Sequence, residues 1–145
     1  MTKRNLFLLG VLILAQLVYA GNWDDTKAQA KQENKLILLK FSGSDWCGPC
    51  IQLQKVIFDD PVFEQFAHEK LVLFKADFPR QKKNQLPKEQ QAINDQLAET
   101  YNPEGEFPCM VLIDAQGNTL RKWHGYDKKH TVQDYMADVN AFINK

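Results

Sequence analysis

The sequence has few metal-binding residues and lacks the features of a nucleic-acid-binding protein. Its 145 residues include three cysteines and three histidines, and its 18 basic side chains are balanced by 18 acidic ones. No basic tract or aromatic-interleaved patch favours nucleic acid as a partner. No internal repeat or low-complexity segment is present. With 44% hydrophobic and 25% charged residues, the chain has enough apolar material for one globular domain with a single core.

One short motif contains two of the three cysteines. Cys47 and Cys50 lie within the sequence WCGPC at residues 46–50, shortly after an apolar run at residues 36–41. The run predicts a buried strand that ends in a turn, and the apolar spacing after the motif predicts a helix. Pro49 is tolerated in the first turn of a helix, where amides have no intrahelical partner. Cys47 is therefore expected at the helix N-terminus, where unpaired amides and the helix dipole favour the thiolate.

The spacing predicts that these two thiols make and break a disulfide. We expect Cys47 to face solvent and, as the thiolate, to attack a substrate disulfide, so that a mixed disulfide forms. Cys50, one turn inside the helix and less exposed, then attacks Cys47 and releases the reduced substrate. The helix dipole lowers a thiol pKa by no more than about one and a half units. Any further lowering requires hydrogen bonds to the Cys47 sulfur from amides or from the Cys50 thiol.

A Cys-x-x-Cys pair is also found as half of a zinc site and as an inert structural disulfide. Zinc normally takes four ligands, and no second pair of this kind follows in the sequence. The remaining candidate ligands are Cys109, His68, His124 and His130. We therefore predict no metal site and no cofactor beyond a redox-active disulfide between Cys47 and Cys50.

The rest of the chain alternates between helix and strand patterns. Asp24 or Asp25 is expected to cap a first helix that ends near Asn34, and Asp60 with Pro61 to begin another. Further helices are predicted from apolar residues at helical spacing, and strands from short apolar runs. The later predicted helices cover residues 60–68, 93–101 and 132–142, and the later strands cover residues 71–76, 110–113 and 119–123.

The sequence WCGPC after a strand resembles the active site of the thioredoxin family, and the resemblance covers most of the chain beyond residue 21. It implies an α/β, thioredoxin-like fold with a central mixed sheet and helices on both faces. It also implies that Pro108, directly before an apolar strand, follows a cis peptide bond and lies against the disulfide. Gly48 and Pro49 are implied to support the site, and Trp46 to pack beside the sulfur atoms and offer substrates a flat apolar surface.

Some positions depart from the family pattern. Thioredoxins carry a buried aspartate in the strand before the motif, thought to assist proton transfer to the resolving thiol, and here Lys40 and Phe41 are the nearest matching residues. Asp45, Lys75 and Asp77 are weak substitutes for it. Phe107 replaces the usual Thr, Val or Ile before the proline, and its ring is expected to narrow the range of partner chains that dock.

Cys109, immediately after Pro108, has two interpretations. It is either a small apolar residue buried on a core strand or a third thiol that traps or reroutes mixed disulfides. The sequence does not say which way this side chain points.

The first 20 residues predict export. Lys3 and Arg4 precede an apolar run, and the segment ends in Val-Tyr-Ala, which predicts a secretory signal peptide cleaved after Ala20. A thioredoxin-like domain then covers residues 21–145. The run is short for a membrane-spanning helix, which needs about 20 apolar residues. A membrane anchor that keeps the protein facing the periplasm is the alternative.

The sequence FSGSDWC at residues 41–47 and the Gly125-Tyr126 pair before the last predicted helix resemble a narrower group of exported bacterial proteins, which includes periplasmic thiol-disulfide interchange proteins. That resemblance, together with the Gly-Pro pair of reducing thioredoxins, implies a periplasmic or secreted reductase of client protein disulfides that is recharged by a membrane electron donor. Two alternatives remain open. One is an oxidase or isomerase that uses the same cysteines. The other is a redox-switched module that binds partner chains at Trp46 and Pro108.

Overall fold

The computed structural model describes residues 22–143, and the predicted signal peptide at residues 1–20 lies outside this range. The strands are β1 (Leu36–Ser42), β2 (Leu71–Asp77), β3 (Cys109–Ile113) and β4 (Thr119–His124). The α-helices are α1 (Trp23–Glu33), α2 (Gly48–Leu53), α3 (Pro61–Lys70), α4 (Lys88–Tyr101) and α5 (Val132–Ile143). A π-helical turn, Gln54–Phe58, extends α2, and a short 3₁₀ turn covers Lys82–Asn84. No helix of the described range is long and apolar enough to cross a membrane.

The four strands form one mixed sheet in the order β2-β1-β3-β4. β1 runs parallel to β2 and antiparallel to β3, and β3 pairs antiparallel with β4. Every residue of β1 after Leu36 is buried, as expected for a strand whose sheet is covered on both faces. The prediction of a central mixed sheet with helices on both faces is confirmed.

Alternate residues of β1 enter two separate apolar clusters. Leu38 packs in a cluster that includes Leu53 of α2 and Phe63 of α3. Leu39 packs in a second cluster that includes Leu97 of α4. Successive side chains of a strand point to opposite faces, so the run of apolar residues in β1 serves both layers of helices. This buried strand fixes the position of the turn that carries the cysteines.

Two helix starts show how far local sequence rules hold. Asp60 caps α3 as predicted, and its carboxylate accepts a hydrogen bond from the backbone N–H of Val62 at 2.8 Å. The prediction that Asp24 or Asp25 caps α1 is wrong. Asn22 caps this helix, because its side-chain oxygen accepts a hydrogen bond from the Asp24 amide at 3.3 Å. The two aspartates lie in the first turn, where the helix dipole still favours negative charge.

The helix after the cysteine motif is less regular than its apolar spacing predicts. It changes from α to π geometry, and the Asp59 N–H donates to the Gln54 carbonyl at 2.9 Å across the π turn. A regular apolar spacing does not stay on one face across such a turn. Val56 lies in this turn and is 47% exposed, although it belongs to the apolar spacing that predicted the helix. Ile51, another residue of that spacing, lies before the turn and is equally exposed.

Candidate active site

The two cysteines of the WCGPC motif form a disulfide at the N-terminal end of α2. Cys47 precedes the helix in an extended conformation, Cys50 lies in the first turn, and their Cα atoms are 5.2 Å apart. The Cys50 N–H donates a hydrogen bond to Cys47 Sγ at 3.2 Å, so this sulfur caps the helix. After reduction, a thiolate at Cys47 would accept the same bond and meet the positive end of the helix dipole.

Both cysteines are buried in this disulfide form, with 4% of Cys47 and 2% of Cys50 exposed. The expectation that Cys47 faces solvent is wrong for this state. Its sulfur turns back over the first turn of α2 to accept the Cys50 amide, and this direction buries it. Cys50 is the less exposed of the two, but only slightly. The exposed part of the motif is the pair between them, Gly48 and Pro49.

Trp46 packs into an aromatic cluster beside the disulfide. Its indole N–H donates to the Phe78 carbonyl at 2.8 Å, and the Arg80 guanidinium lies 3.6 Å from its ring centroid. The Phe107 ring meets it edge-on, with centroids 5.5 Å apart. Gly43 is required beneath the indole, because a Cβ at that position would lie 2.3 Å from Trp46 Cε2. The apolar surface expected of Trp46 is therefore shared with neighbouring rings and covered in part by a cation.

Asp45 holds the loop that carries Arg80. Its carboxylate accepts hydrogen bonds from the backbone N–H groups of Arg80 and Gln81 and from the Asn84 side-chain amide, each at 2.9 Å. These bonds, with the Arg80 amide contributing most, hold the pKa of Asp45 below its usual value. Asp45 is thus a partly exposed anchor that keeps Arg80 over Trp46, and it does not replace the buried aspartate of thioredoxins.

The Phe107–Pro108 peptide bond is cis. Pro108 is buried, and its carbonyl accepts a hydrogen bond from the Gly125 N–H at 2.9 Å. The Phe107 ring also packs edge-on against Phe78, with centroids 5.5 Å apart. Beside these rings an open cavity of about 420 Å³ lies next to the motif. Its lining includes Trp46, Phe78, Arg80, Gln91 and Phe107.

Cys109 is fully buried in β3. It lies opposite Phe41 of β1 and belongs to the apolar cluster that also contains Val111. Desolvation by burial raises the pKa of the Cys109 thiol to about 11. A protonated thiol is a weak nucleophile, so these observations favour the core interpretation of Cys109 over that of a third reactive thiol.

Lys40 stands where the resemblance places a buried aspartate. It is 5% exposed in the middle of β1. Its ammonium group donates a hydrogen bond to Gln54 Oε1 and lies 3.9 Å from the Phe58 ring centroid. Desolvation by burial lowers the pKa of Lys40 to about 8. Sequence reasoning noted this position only as a departure, although a lysine inside an otherwise apolar strand is itself a signal of a buried cation.

Asp77 and Lys75, the two other weak substitutes for the aspartate of thioredoxins, interact with other groups. Asp77 accepts hydrogen bonds from the Ser44 N–H at 3.0 Å and from the Ser44 hydroxyl at 2.5 Å. Lys75 is exposed, with its ammonium 3.8 Å from Asp77. Among the residues that the structure describes, no cluster of three or more His, Cys, Asp or Glu side chains is arranged to hold a metal ion.

Known proteins are similar to this chain in sequence. A family model described as a thioredoxin-like domain matches residues 23–140. The disulfide bond reductase DsbH of Chlamydia pneumoniae is 42% identical over 93 residues, which cover 64% of this chain and 54% of DsbH. The thioredoxin-related protein DsbJ of the same organism is 26% identical over 98 residues, which cover 67% of this chain and 27% of DsbJ. The matched stretch thus spans about half of DsbH and about a quarter of DsbJ.

Solved structures extend the likeness to the fold. A structure described as DsbH oxidoreductase superposes with a TM-score of 0.75 at 29% identity, covering 98% of this chain and 95% of that one. A disulphide isomerase from Xylella fastidiosa Temecula1 shares the fold with a TM-score of 0.62 at 18% identity, covering 89% of this chain and 98% of that one. With its cysteine pair at the start of α2, the chain belongs to the family of thioredoxin-like domains.

Proposed function

We propose that this protein is an exported thiol-disulfide oxidoreductase that reduces disulfides in client proteins. The observation that carries the proposal is the Cys47–Cys50 disulfide at the start of α2, in which Cys47 Sγ accepts the Cys50 amide hydrogen bond. This environment stabilises negative charge on the Cys47 sulfur once the pair is reduced. Cys47 is therefore the proposed nucleophile and Cys50 the resolving thiol.

The reaction consists of two exchange steps. The Cys47 thiolate attacks one sulfur of a client disulfide, the client S–S bond breaks, and the other client sulfur leaves as a thiolate that takes a proton from solvent. Cys50 then loses its proton and attacks Cys47 Sγ. The bond between Cys47 and the client breaks, the second client sulfur leaves, and the Cys47–Cys50 disulfide forms again. Two electrons pass to the client, so an electron donor has to reduce the pair before the next cycle.

The aromatic cluster beside the disulfide is the proposed client-binding surface. Trp46 and Phe107 are both partly exposed, and they line the open cavity of about 420 Å³ next to the motif. Exposed apolar area beside a reactive group suits contact with unfolded or peptide-like chains. Pro108 is proposed to lie against the disulfide and to guide the client backbone, with Phe107 restricting which chains fit.

The direction and location rest on three supports. The relative that is 42% identical is named a disulfide bond reductase. The residues between the cysteines, Gly48 and Pro49, are the pair found in reducing thioredoxins. Residues 1–20 predict a signal peptide, so we place the protein in the periplasm or outside the cell, either free or tethered by an uncleaved anchor. A membrane thiol transporter is the proposed electron donor.

A trapping experiment tests the proposed catalysis. A Cys50→Ser variant keeps the nucleophile but cannot resolve mixed disulfides, so it should accumulate covalent client adducts that reductant dissolves. Cys47→Ser, which removes only the nucleophile, is the matched control and should accumulate none. Both variants, with the remaining thiol reduced, are incubated with proteins that carry native or scrambled disulfides, and adducts are located by non-reducing electrophoresis and peptide mass spectrometry.

Each other outcome has a definite meaning. Adducts that form on Cys50 instead of Cys47 would reverse the assigned roles. Partners that stay bound after reductant is added would indicate a binding module. Rapid rearrangement of scrambled disulfides, with no net reduction of insulin, would indicate an isomerase and contradict the proposed direction.

A further inference from the structure

Within residues 22–143, Lys40 is a buried cation that forms no salt bridge with a carboxylate, and the charges of Asp59 and Asp77 act on it only from a greater distance. Charged side chains are rarely buried unless they are paired, because burial removes their hydration. Yet Lys40 is 5% exposed. None of the ion pairs within residues 22–143 includes it. Its ammonium instead contacts the Gln54 side-chain oxygen and the Phe58 ring, both of which are neutral.

The π turn supplies both of these neutral contacts. Gln54 is its first residue and Phe58 its last, and the two side chains meet at the Lys40 ammonium group. Gln54 is itself held by Asp59, whose carboxylate accepts a hydrogen bond from Gln54 Nε2 at 2.7 Å. Single π turns inside helices are uncommon and are frequent at functional sites. Here the turn orients the Gln54 oxygen towards a charge inside the protein.

A cavity links this cation to the resolving cysteine. Cys50 and Gln54, one helical turn apart, both line a cavity of about 290 Å³ at the end of β1. Lys40 is hydrogen-bonded to Gln54, so one side chain separates its ammonium group from the space that Cys50 faces. In the disulfide, the Cys50 sulfur carries no charge. After reduction it becomes a thiol whose deprotonation places an anion beside this space.

We propose that Lys40 is a positioning residue whose positive charge stabilises the Cys50 thiolate in the resolving step. This inference rests on the function proposed above and adds a source of acidity for its second thiol. In that step the Cys50 thiol releases its proton to water in the cavity, and the thiolate attacks Cys47 Sγ. The negative charge leaves with the client sulfur as the Cys47–Cys50 bond forms. Lys40 makes no covalent bond and is neither oxidised nor reduced.

Other charged groups lie around the same cavity, but they are more exposed to solvent than Lys40. Lys75 and Asp77 lie on β2, Lys55 lies in the π turn, and Asp59 follows it. Lys75, Lys55 and Asp59 are exposed, so water and salt screen their fields. Asp77 is partly buried and bound to Ser44. From β3, the residue opposite Lys40 is the neutral Met110. Lys40 alone among the cations named here acts from inside the protein, where screening is weak.

Titration of Cys50 tests the proposal. In a Cys47→Ser background Cys50 is a free thiol, and its deprotonation is followed by thiolate absorbance as the pH is raised. Lys40→Met keeps an unbranched side chain that is only one atom shorter, and it removes the charge. We expect it to lower the Cys50 thiolate about tenfold at pH 7, where Lys40, whose pKa is about 8, still carries its charge, and so to move the Cys50 midpoint to higher pH. The Cys109 thiol, whose pKa is raised to about 11, titrates above this range.

Two controls separate charge from packing. Lys40→Arg retains the cation and should keep the midpoint within about a third of a unit of the parent. Lys75→Met removes an exposed lysine from the same cavity and should change the thiolate fraction by no more than about twofold. Circular dichroism verifies the fold of each variant, and Lys40→Gln, neutral but able to bond Gln54, replaces Lys40→Met if that variant is misfolded. An unchanged Cys50 midpoint in the neutral variant, or an equal shift in Lys75→Met, would overturn the proposal.

The titration uses no client, so its result is independent of the trapping experiment. Absence of adducts on Cys50→Ser would end the proposed reductase while leaving any shift of the Cys50 midpoint measurable. An unchanged midpoint would end the role of Lys40 while leaving adduct formation intact. In the protein with both cysteines, Lys40→Met should slow resolution of the mixed disulfide with a client by about three- to fourfold at neutral pH, because the greater nucleophilicity of a more basic thiolate offsets part of the tenfold loss of thiolate. Higher pH should restore the rate.

Discussion

Cys50 and Cys109 are both almost inaccessible to solvent, with 2% and 0% of their surfaces exposed, yet their surroundings differ. Cys50 lies in the first turn of a helix, bonded to Cys47, and lines a cavity with polar and charged walls. Cys109 is the first residue of the inner strand β3 and lies among apolar side chains, and burial raises its thiol pKa to about 11. Burial alone therefore does not decide the reactivity of a thiol here. The reactivity of each thiol depends instead on the backbone amides, charges and partner sulfur that lie close to it.

The largest effect expected from this contrast is on turnover. Cys47→Ser should reduce insulin reduction to the uncatalysed rate, because no other thiol sits at the helix N-terminus with a resolving partner. Cys109→Ala, which also removes one thiol, should leave kcat/KM within about twofold of the parent. The two variants are compared by insulin precipitation at equal folded concentration. Loss of turnover in Cys109→Ala would show that the third thiol takes part in the cycle.

A second prediction concerns the rate of alkylation. With a pKa near 11, Cys109 is a thiolate in about one molecule in a thousand at pH 8, whereas an unfolded cysteine is about a quarter ionised. Alkylation of Cys109 in the native protein should therefore be at least about a hundredfold slower than in urea. Mass spectrometry after timed iodoacetamide treatment measures both rates. Comparable rates in the two conditions would place Cys109 outside the core.

A third prediction concerns stability. The folded pKa of Lys40, about 8, lies below its ordinary value of 10.5, so the unfolded chain binds more protons between these two pH values. The free energy of unfolding therefore rises as the pH rises from 8 to 10.5. Below pH 8 the lysine is charged in both states, and the full cost of burying its charge is present. Lys40→Met should raise the free energy of unfolding by about 1–2 kcal/mol at neutral pH, and this gain should shrink towards pH 10. Urea unfolding at several pH values measures it, with Lys75→Met as the exposed control. A loss of stability at neutral pH would contradict the buried charge.

The smallest expected effect is on client binding. Asp45→Asn leaves one acceptor oxygen for the three donors of the loop, so Arg80 should no longer be held over Trp46. We expect KM to rise about two- to fivefold with kcat unchanged, since the change lies beside the disulfide and not within it. Asp127→Asn, which alters a similar turn bond to the Lys129 amide, is the control. A fall in kcat for Asp45→Asn would give Asp45 a part in the chemistry.

The part of the site that local rules govern was predictable from sequence. The apolar run of β1, the turn after it and Pro49 placed the cysteine pair at a strand-to-helix junction, and Asp60 correctly marked the start of α3. The parts that failed depend on contacts distant in sequence or on irregular helix geometry. Asp45 binds residues 80–84 more than 30 positions later, and the π turn arranges two side chains around Lys40. No local pattern predicts either arrangement.

The reduction potential of the Cys47–Cys50 pair tests the central claim most directly. Equilibration with glutathione buffers of known potential, followed by thiol alkylation and mass spectrometry, measures the fraction of the pair that is oxidised. The account predicts a reducing couple, at or below about −230 mV, close to the thioredoxin end of the known range. A potential near about −120 mV, at the end occupied by strong protein oxidants, would contradict it.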